Sequence, residues 1–194
     1  MFVSKIIDSW RVFIAVPLPK SIKEALSAWT ETRKSDLAFA KWVHPADYHI
    51  TVQFLGDISP TRINDLQANL ESITEGQKAF ELNAREVGFF GRASNPRVLW
   101  AGVEGDMEHL KALQSAVAEG NRKLGFIPED RPYSPHITLA RKYAEDRRLS
   151  PEQLAGTGSP TEFGSWTADA IVVYRTRMNK SPMYEEVGRI SLLS

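Results

Sequence analysis

The chain has no cysteine among its 194 residues. That excludes disulfides, thiolate metal sites and a cysteine nucleophile, and it fits a reducing compartment. Net charge is absent too, since 24 Lys and Arg balance 24 Asp and Glu. A strongly basic chain would bind nucleic acid in bulk through its phosphates; here any such contact must be local and short. No apolar run approaches the length that a membrane span needs. The patch near the N-terminus, Ile6 and Ile7 between Lys5 and Asp8, is too short for a signal-peptide core. What is present is ordinary for a water-soluble globular chain: 42% hydrophobic and 25% charged residues. The length suits a single domain with a real core. A cytoplasmic protein is expected, with no membrane contact and no obligate protein partner.

Apolar patterning places the elements. Strands are expected over Arg11–Pro17, Tyr48–Leu55, Phe80–Phe90, Arg97–Val103, His136–Lys142, Ala168–Arg175 and Tyr184–Leu192. A helix is expected over Lys20–Lys34, where Ile22, Ala25, Leu26 and Trp29 share one face. Another follows the cap-like Ser59-Pro60, with Ile63, Leu66, Leu70 and Ile73 as its stripe. A third covers Asp106–Leu124 and stops at Gly125. Gly156–Gly164 reads as a loop, Asn179–Pro182 as a turn, and no segment reads as an interdomain linker.

The chain also repeats itself. Arg11-Val-Phe-Ile-Ala-Val resembles Arg97-Val-Leu-Trp-Ala-Gly, 86 residues on, and His49-Ile-Thr-Val resembles His136-Ile-Thr-Leu, 87 residues on. Two matches in one order at almost one offset point to an old duplication, and the period is too long for a solenoid. On a strand, alternate side chains share a face. His49 and Thr51 then point one way and Ile50 and Val52 the other; His136 and Thr138 oppose Ile137 and Leu139 in the same manner. A pseudo-twofold axis between the halves brings both polar pairs to one cleft. Two imidazoles can divide proton transfer, one accepting from water and one donating to a leaving oxygen. Threonine hydroxyls can hold the non-bridging oxygens of a phosphate. The set suits in-line displacement at phosphorus without a cofactor or metal, and a strained cyclic phosphate is a natural target.

The paired motifs, the opening Arg11–Pro19, Trp42–Gly56, Val98–Gly102 and above all Arg131–Arg141 resemble the 2H phosphoesterase superfamily. Closer still is the resemblance to the RNA 2′,3′-cyclic phosphodiesterases, also called 2′-5′ RNA ligases. It implies one α+β domain over residues 1–194, a pseudo-symmetric duplication of two lobes with antiparallel sheets lining a central cleft and helices outside. It implies hydrolysis of RNA 2′,3′-cyclic phosphate ends, or of nucleoside 2′,3′-cyclic phosphates, to 2′-phosphomonoesters without metal. On this resemblance His49 and His136 are the acid/base pair and Thr51 and Thr138 bind phosphate. Which imidazole is the base stays open; the preferred assignment has His136 activating water and His49 protonating the 3′ oxygen. The same motifs serve reversible 2′-5′ RNA joining, other cyclic nucleotides, 2′-5′ oligonucleotides and non-catalytic binding of RNA ends.

Arg141 matches a phosphate-binding arginine of the family, yet it lies five residues from His136, so simple alternation aims it at the opposite face. A bulge would re-aim it. The matching position in the first copy is Phe54. Phe13, Trp42, Tyr48 and Tyr133 are candidates to stack on a base. Of the two remaining histidines, His109 reads as a surface residue, and His44 with Asp47 and His49 fits no standard metal spacing. Arg97, Arg141-Lys142 and Arg147-Arg148 are candidate guides for an RNA strand, or simply solvated charge.

Overall fold

Strand formers bounded by prolines and glycines build a sheet from the start of the chain. In this computed structural model, which describes residues 8–144, 148–155 and 161–194, the elements run β1 (Trp10–Pro17), α1 (Lys20–Arg33), β2 (Phe39–Trp42), β3 (His49–Ile58), α2 (Ile63–Thr74), β4 (Phe80–Arg92), β5 (Asn95–Gly105), α3 (Met107–Gly120), β6 (His136–Tyr143), α4 (Pro151–Ala155), β7 (Glu162–Ala168), β8 (Ala170–Thr176) and β9 (Tyr184–Ser191). One sheet has the order β7-β4-β5-β6-β3-β1-β8-β9, with β2 added alongside β6. Its strand pairings are all antiparallel. The class is the expected α+β.

The order is palindromic. Outward from the β3–β6 junction, each half shows a His-Ile-Thr strand, then an opening strand (β1 or β5), then a later strand (β8 or β4), then an edge strand (β9 or β7). The junction is the single backbone pair Ile50–Ile137, two residues related by the 87-residue offset. The pseudo-twofold axis therefore passes between them. Continuing the antiparallel register sets His49 across from Thr138 and Thr51 across from His136.

The helices cross over. α1 follows β1 but packs on β7 of the other half, where Trp29 stands edge-on to Phe163 at 6.2 Å. α3 follows β5 and packs on β3, beside α2. The stripes that set their apolar faces are buried: Ile22 and Leu26 in α1, Ile63, Leu66 and Leu70 in α2, Leu110, Leu113 and Val117 in α3. Asp106 caps α3 by accepting from the His109 amide at 3.0 Å. The final turn tightens to a 3-10 turn over Asn121–Leu124 and ends at Gly125, whose φ of 90° suits glycine.

Three readings need correction. β2 was not expected, because four residues carry too little alternation to register. β7 invades the expected 156–164 loop at Glu162. Phe163 has no partner in the ladder to β4, and this bulge breaks the alternation that would have revealed the strand. His109 is not a free surface residue; it stacks on Phe80 at 4.4 Å, 3.7 Å from the Asp106 carboxylate. Residues 156–160, Arg147, Ile6 and Ile7 lie outside the described residues.

Candidate active site

The period-2 rule holds at both motifs. Ile50, Val52, Ile137 and Leu139 are buried, while His49, Thr51, His136 and Thr138 are partly exposed on the other face. Each imidazole is pinned from behind. His49 Nδ1 lies 2.7 Å from the Asp47 carbonyl and His136 Nδ1 lies 2.8 Å from the Ser134 carbonyl. A carbonyl only accepts, so both Nδ1 atoms carry the proton in the neutral ring. Both Nε2 atoms are thereby bare and turned to the shared face. The Thr51 hydroxyl donates to His49 Nε2 at 3.0 Å.

A bulge, duplicated in both copies, settles where Arg141 points. Thr138 pairs with Trp100 and Ala140 with Leu99, so Leu139 has no partner. Leu139 and Ala140 are consequently both buried, and the alternation restarts with Arg141 exposed on the histidine side. In the first copy Val52 is skipped between Thr51 and Gln53, Val52 and Gln53 are both buried, and Phe54 emerges exposed. The phase that a straight strand would give Arg141 is reversed. Its charge lowers the pKa of both His49 and His136.

Burial governs the titration of the pair. Desolvation pushes His49 down to about 4, opposed by its bond to the Asp47 carbonyl and by the Asp47 carboxylate, and reinforced by His136 and Arg141. Burial also lowers His136, opposed by its bond to the Ser134 carbonyl and reinforced by Arg141 and Arg131. At neutral pH both rings are therefore uncharged bases.

Aromatic side chains wall the site on both flanks. Phe13 lies 4.8 Å from His49, Tyr184 stands edge-on to the same ring at 5.3 Å, and Tyr174 packs against both Phe13 and His49. Phe54 stands 6.0 Å from Phe13 and is 60% exposed. On the other flank Phe90 is edge-on to His136 at 4.8 Å and packs on Trp100. Trp100 lies flat over Gly88, where a Cβ would come within 2.3 Å of the indole.

Of the aromatics expected to stack on a base, Phe13 does reach the site, though it is buried beneath the other rings. Tyr48 is corrected. It is 1% exposed, in the core, with its hydroxyl 3.5 Å from Thr30, and offers no face to a ligand. Tyr133 donates its hydroxyl to the Thr51 carbonyl at 2.7 Å, which ties the second half to the first. Trp42 packs on Phe39 at 6.0 Å with the Lys34 ammonium over its ring. Arg97, Lys142 and Arg148 are exposed.

Sequence reasoning missed Phe54 as a site residue, along with Phe90, Trp100, Tyr174, Tyr184 and Asp47. The only signal within reach was the pairing of Phe54 with Arg141 in the repeat. Asp47 does the most unexpected work. Its carboxylate is 6% exposed and accepts from the Met183 amide at 2.9 Å and the Tyr184 amide at 3.1 Å. One residue thus anchors His49 through its carbonyl and fixes the start of the strand that holds Tyr184 against His49. His44 accepts from the Ala46 amide at 3.0 Å and makes no metal group with Asp47 and His49. Among the described residues no three His, Asp or Glu side chains gather in a way that could hold a metal ion. None of the described helices is long and apolar enough to cross a membrane.

The chain is similar to known proteins along most of its length. The sequence profile of the LigT-like phosphoesterases matches residues 16–100 and 103–184, one stretch per half. The RNA 2′,3′-cyclic phosphodiesterase of Geobacillus stearothermophilus is 38% identical over 181 residues, which are 93% of this chain and 57% of that protein. This chain therefore spans little more than half of that relative's length. The RNA 2′,3′-cyclic phosphodiesterase of Bacillus subtilis is 34% identical, covering 93% of this chain and 95% of its own. The crystal structure of Escherichia coli LigT complexed with 3′-AMP superposes with a TM-score of 0.77 at 25% identity, covering 96% of this chain and all of that one.

Proposed function

The chain belongs to the LigT-like phosphoesterase family, and on that premise we propose that it hydrolyses RNA 2′,3′-cyclic phosphate ends to 2′-phosphomonoesters by acid/base catalysis between His49 and His136, without a metal ion. The observation that carries this reading is the pair of Nε2 atoms left without a proton, each ring fixed by a carbonyl behind it, on two His-Ile-Thr strands that meet at Ile50–Ile137.

The chemistry follows from the layout. A cyclic phosphate seated between the two strands has its non-bridging oxygens within reach of the Thr51 and Thr138 hydroxyls and the Arg141 guanidinium. These stabilise the charge that builds on phosphorus oxygens during displacement. One imidazole takes a proton from water as its oxygen bonds to phosphorus. The opposite phosphorus–O3′ bond breaks, and the second imidazole, protonated, gives its proton to O3′. The product is a 2′-phosphomonoester and a free 3′-hydroxyl. Because both rings are neutral in the free protein, the acid acquires its proton with the anionic substrate.

Charge separates the two roles. His49 is the ring with a carboxylate acting on it, Asp47, although burial, His136 and Arg141 together outweigh it; on His136 the acting charges are the cations Arg141 and Arg131. His49 is the acid and His136 the base in this reading. A cyclic substrate with sulfur replacing the 3′ bridging oxygen tests the assignment, since a thiolate leaves without a proton. His49→Ala should recover most of its lost rate on that substrate and His136→Ala should not; the reverse pattern would exchange the roles. Product analysis with an oligonucleotide bearing a cyclic phosphate tests the reaction itself. A 2′-phosphate supports it, and a 3′-phosphate or a joined 2′-5′ product replaces it.

A further inference from the structure

Beyond the reacting phosphate, the sheet presents a second pair of cations. β3 pairs with β6 only at Ile50–Ile137 and then leaves it. Along the rest of that edge β2 takes its place, pairing Trp42 with Ala140, Lys41 with Arg141 and Phe39 with Tyr143. This addition breaks the pseudo-symmetry, because residues 126–129, at the matching positions of the repeat, form no strand. It sets Lys41 directly opposite Arg141, with Cα atoms about 5 Å apart in an antiparallel pair.

Like charges facing each other across strands repel and destabilise the sheet. Among the described residues some surface cations are paired, Arg131 with Glu129 at 2.6 Å, Arg122 with Glu119 at 2.7 Å and Arg11 with Asp57 at 3.4 Å, and others such as Lys78, Arg97 and Lys123 stand alone, but Lys41 and Arg141 face each other across strands. Among the described residues neither Lys41 nor Arg141 has an ion pair or a side-chain hydrogen bond, and both are exposed. An unmatched cation pair is thus kept in a chain with no net charge. Its placement is ordered as well. Arg141 acts on both imidazoles from β6, and Lys41 lies one strand over from it, on β2.

We infer that Lys41, beside Arg141, forms a second phosphate subsite that takes the phosphodiester on the 5′ side of the terminal nucleotide. The inference rests on the reading of the cleft as a site for a phosphate at an RNA end. It makes the chain a reader of oligonucleotide ends over mononucleotides, by local charge rather than by a basic surface.

The test compares the binding of a trinucleotide ending in a 2′-phosphate with that of a nucleoside 2′-monophosphate by titration calorimetry. Wild type should prefer the trinucleotide. In Lys41→Gln the ratio of the two affinities should fall roughly three- to fivefold, the size of one exposed charge contact. The salt dependence of trinucleotide binding should lose about one phosphate contact. Lys41→Arg should restore the ratio, and Lys41→Gln should melt no lower than wild type, because it relieves repulsion. An unchanged ratio, or equal binding of both ligands by wild type, overturns the subsite. Turnover is read separately. A chain whose binding depends on Lys41 but which cleaves no cyclic phosphate keeps the subsite and loses the catalytic reading.

Discussion

Replacing Asp47 should damage stability and proton transfer together. The carboxylate is almost fully buried, and its two oxygens each accept a backbone amide from the Met183–Tyr184 segment. A hydrogen bond to a charged acceptor contributes about 1.5–3 kcal/mol, and a buried donor left alone costs a similar amount. Asp47→Ala leaves two such donors, so a loss of about 3–5 kcal/mol is expected. In a chain of this size that lowers the melting temperature by roughly 10 °C. Asp47→Asn keeps one acceptor and should lose about half as much, leaving a folded protein to assay. There the neutral side chain no longer favours an imidazolium at His49, so the pKa of His49 falls further. If His49 is the acid, the alkaline limb of the pH–rate profile moves to lower pH. Activity of Asp47→Asn should then be reduced at pH 7 and recover relative to wild type as the pH is lowered. The profile of kcat from pH 4 to 9 reads this directly. A variant that only scales the rate, with its limbs where wild type has them, refutes the electrostatic role and leaves Asp47 as a structural cap.

Two further outcomes follow from the same site. The pKa of His49 is about 4 in the folded chain and near 6.5 when unfolded. The unfolded state therefore binds the proton first, and stability present above pH 6.5 is lost as the pH falls to about 4, by at most about 3 kcal/mol. Urea unfolding of wild type and His49→Gln across that window should show a shallower loss in the variant; equal slopes would contradict it. Gly88→Ala drives a methyl into the Trp100 indole and should cost about 1–3 kcal/mol. Because Trp100 packs on Phe90, and Phe90 on His136, it should also lower the turnover rate, whereas an unchanged rate would show that this flank does not position His136.

The two His-Ile-Thr strands were legible because their signal is short-range and doubled. Alternation at His49–Val52 and His136–Leu139 fixes two faces, and the 87-residue offset makes the faces converge on the pair Ile50–Ile137. Apolar stripes at helical spacing marked α1, α2 and α3 for a similar reason. Arg141 was only half legible. Its identity stood out, but its direction depends on the unpaired Leu139, and a one-residue bulge leaves no mark in composition. Tyr174 and Tyr184 lie more than 120 residues from His49 and arrive through β8 and β9, so only tertiary pairing shows them. Tyr48 misled for the opposite reason: adjacency to His49 placed it on the neighbouring face, which is the core. Asp47 looked like a turn residue, and its acceptor role depends on amides 136 and 137 residues away.

The central claim is that two imidazoles act on one phosphorus atom. Turnover of an oligonucleotide ending in a 2′,3′-cyclic phosphate, with chelator in excess, should be measured for wild type, His49→Ala, His136→Ala and the double variant. Each single change should remove about 10²–10⁴ of the rate, and the double should be little worse than the weaker single, because the two rings work as a unit. Rates that multiply independently, or substantial turnover by His136→Ala, would contradict the account.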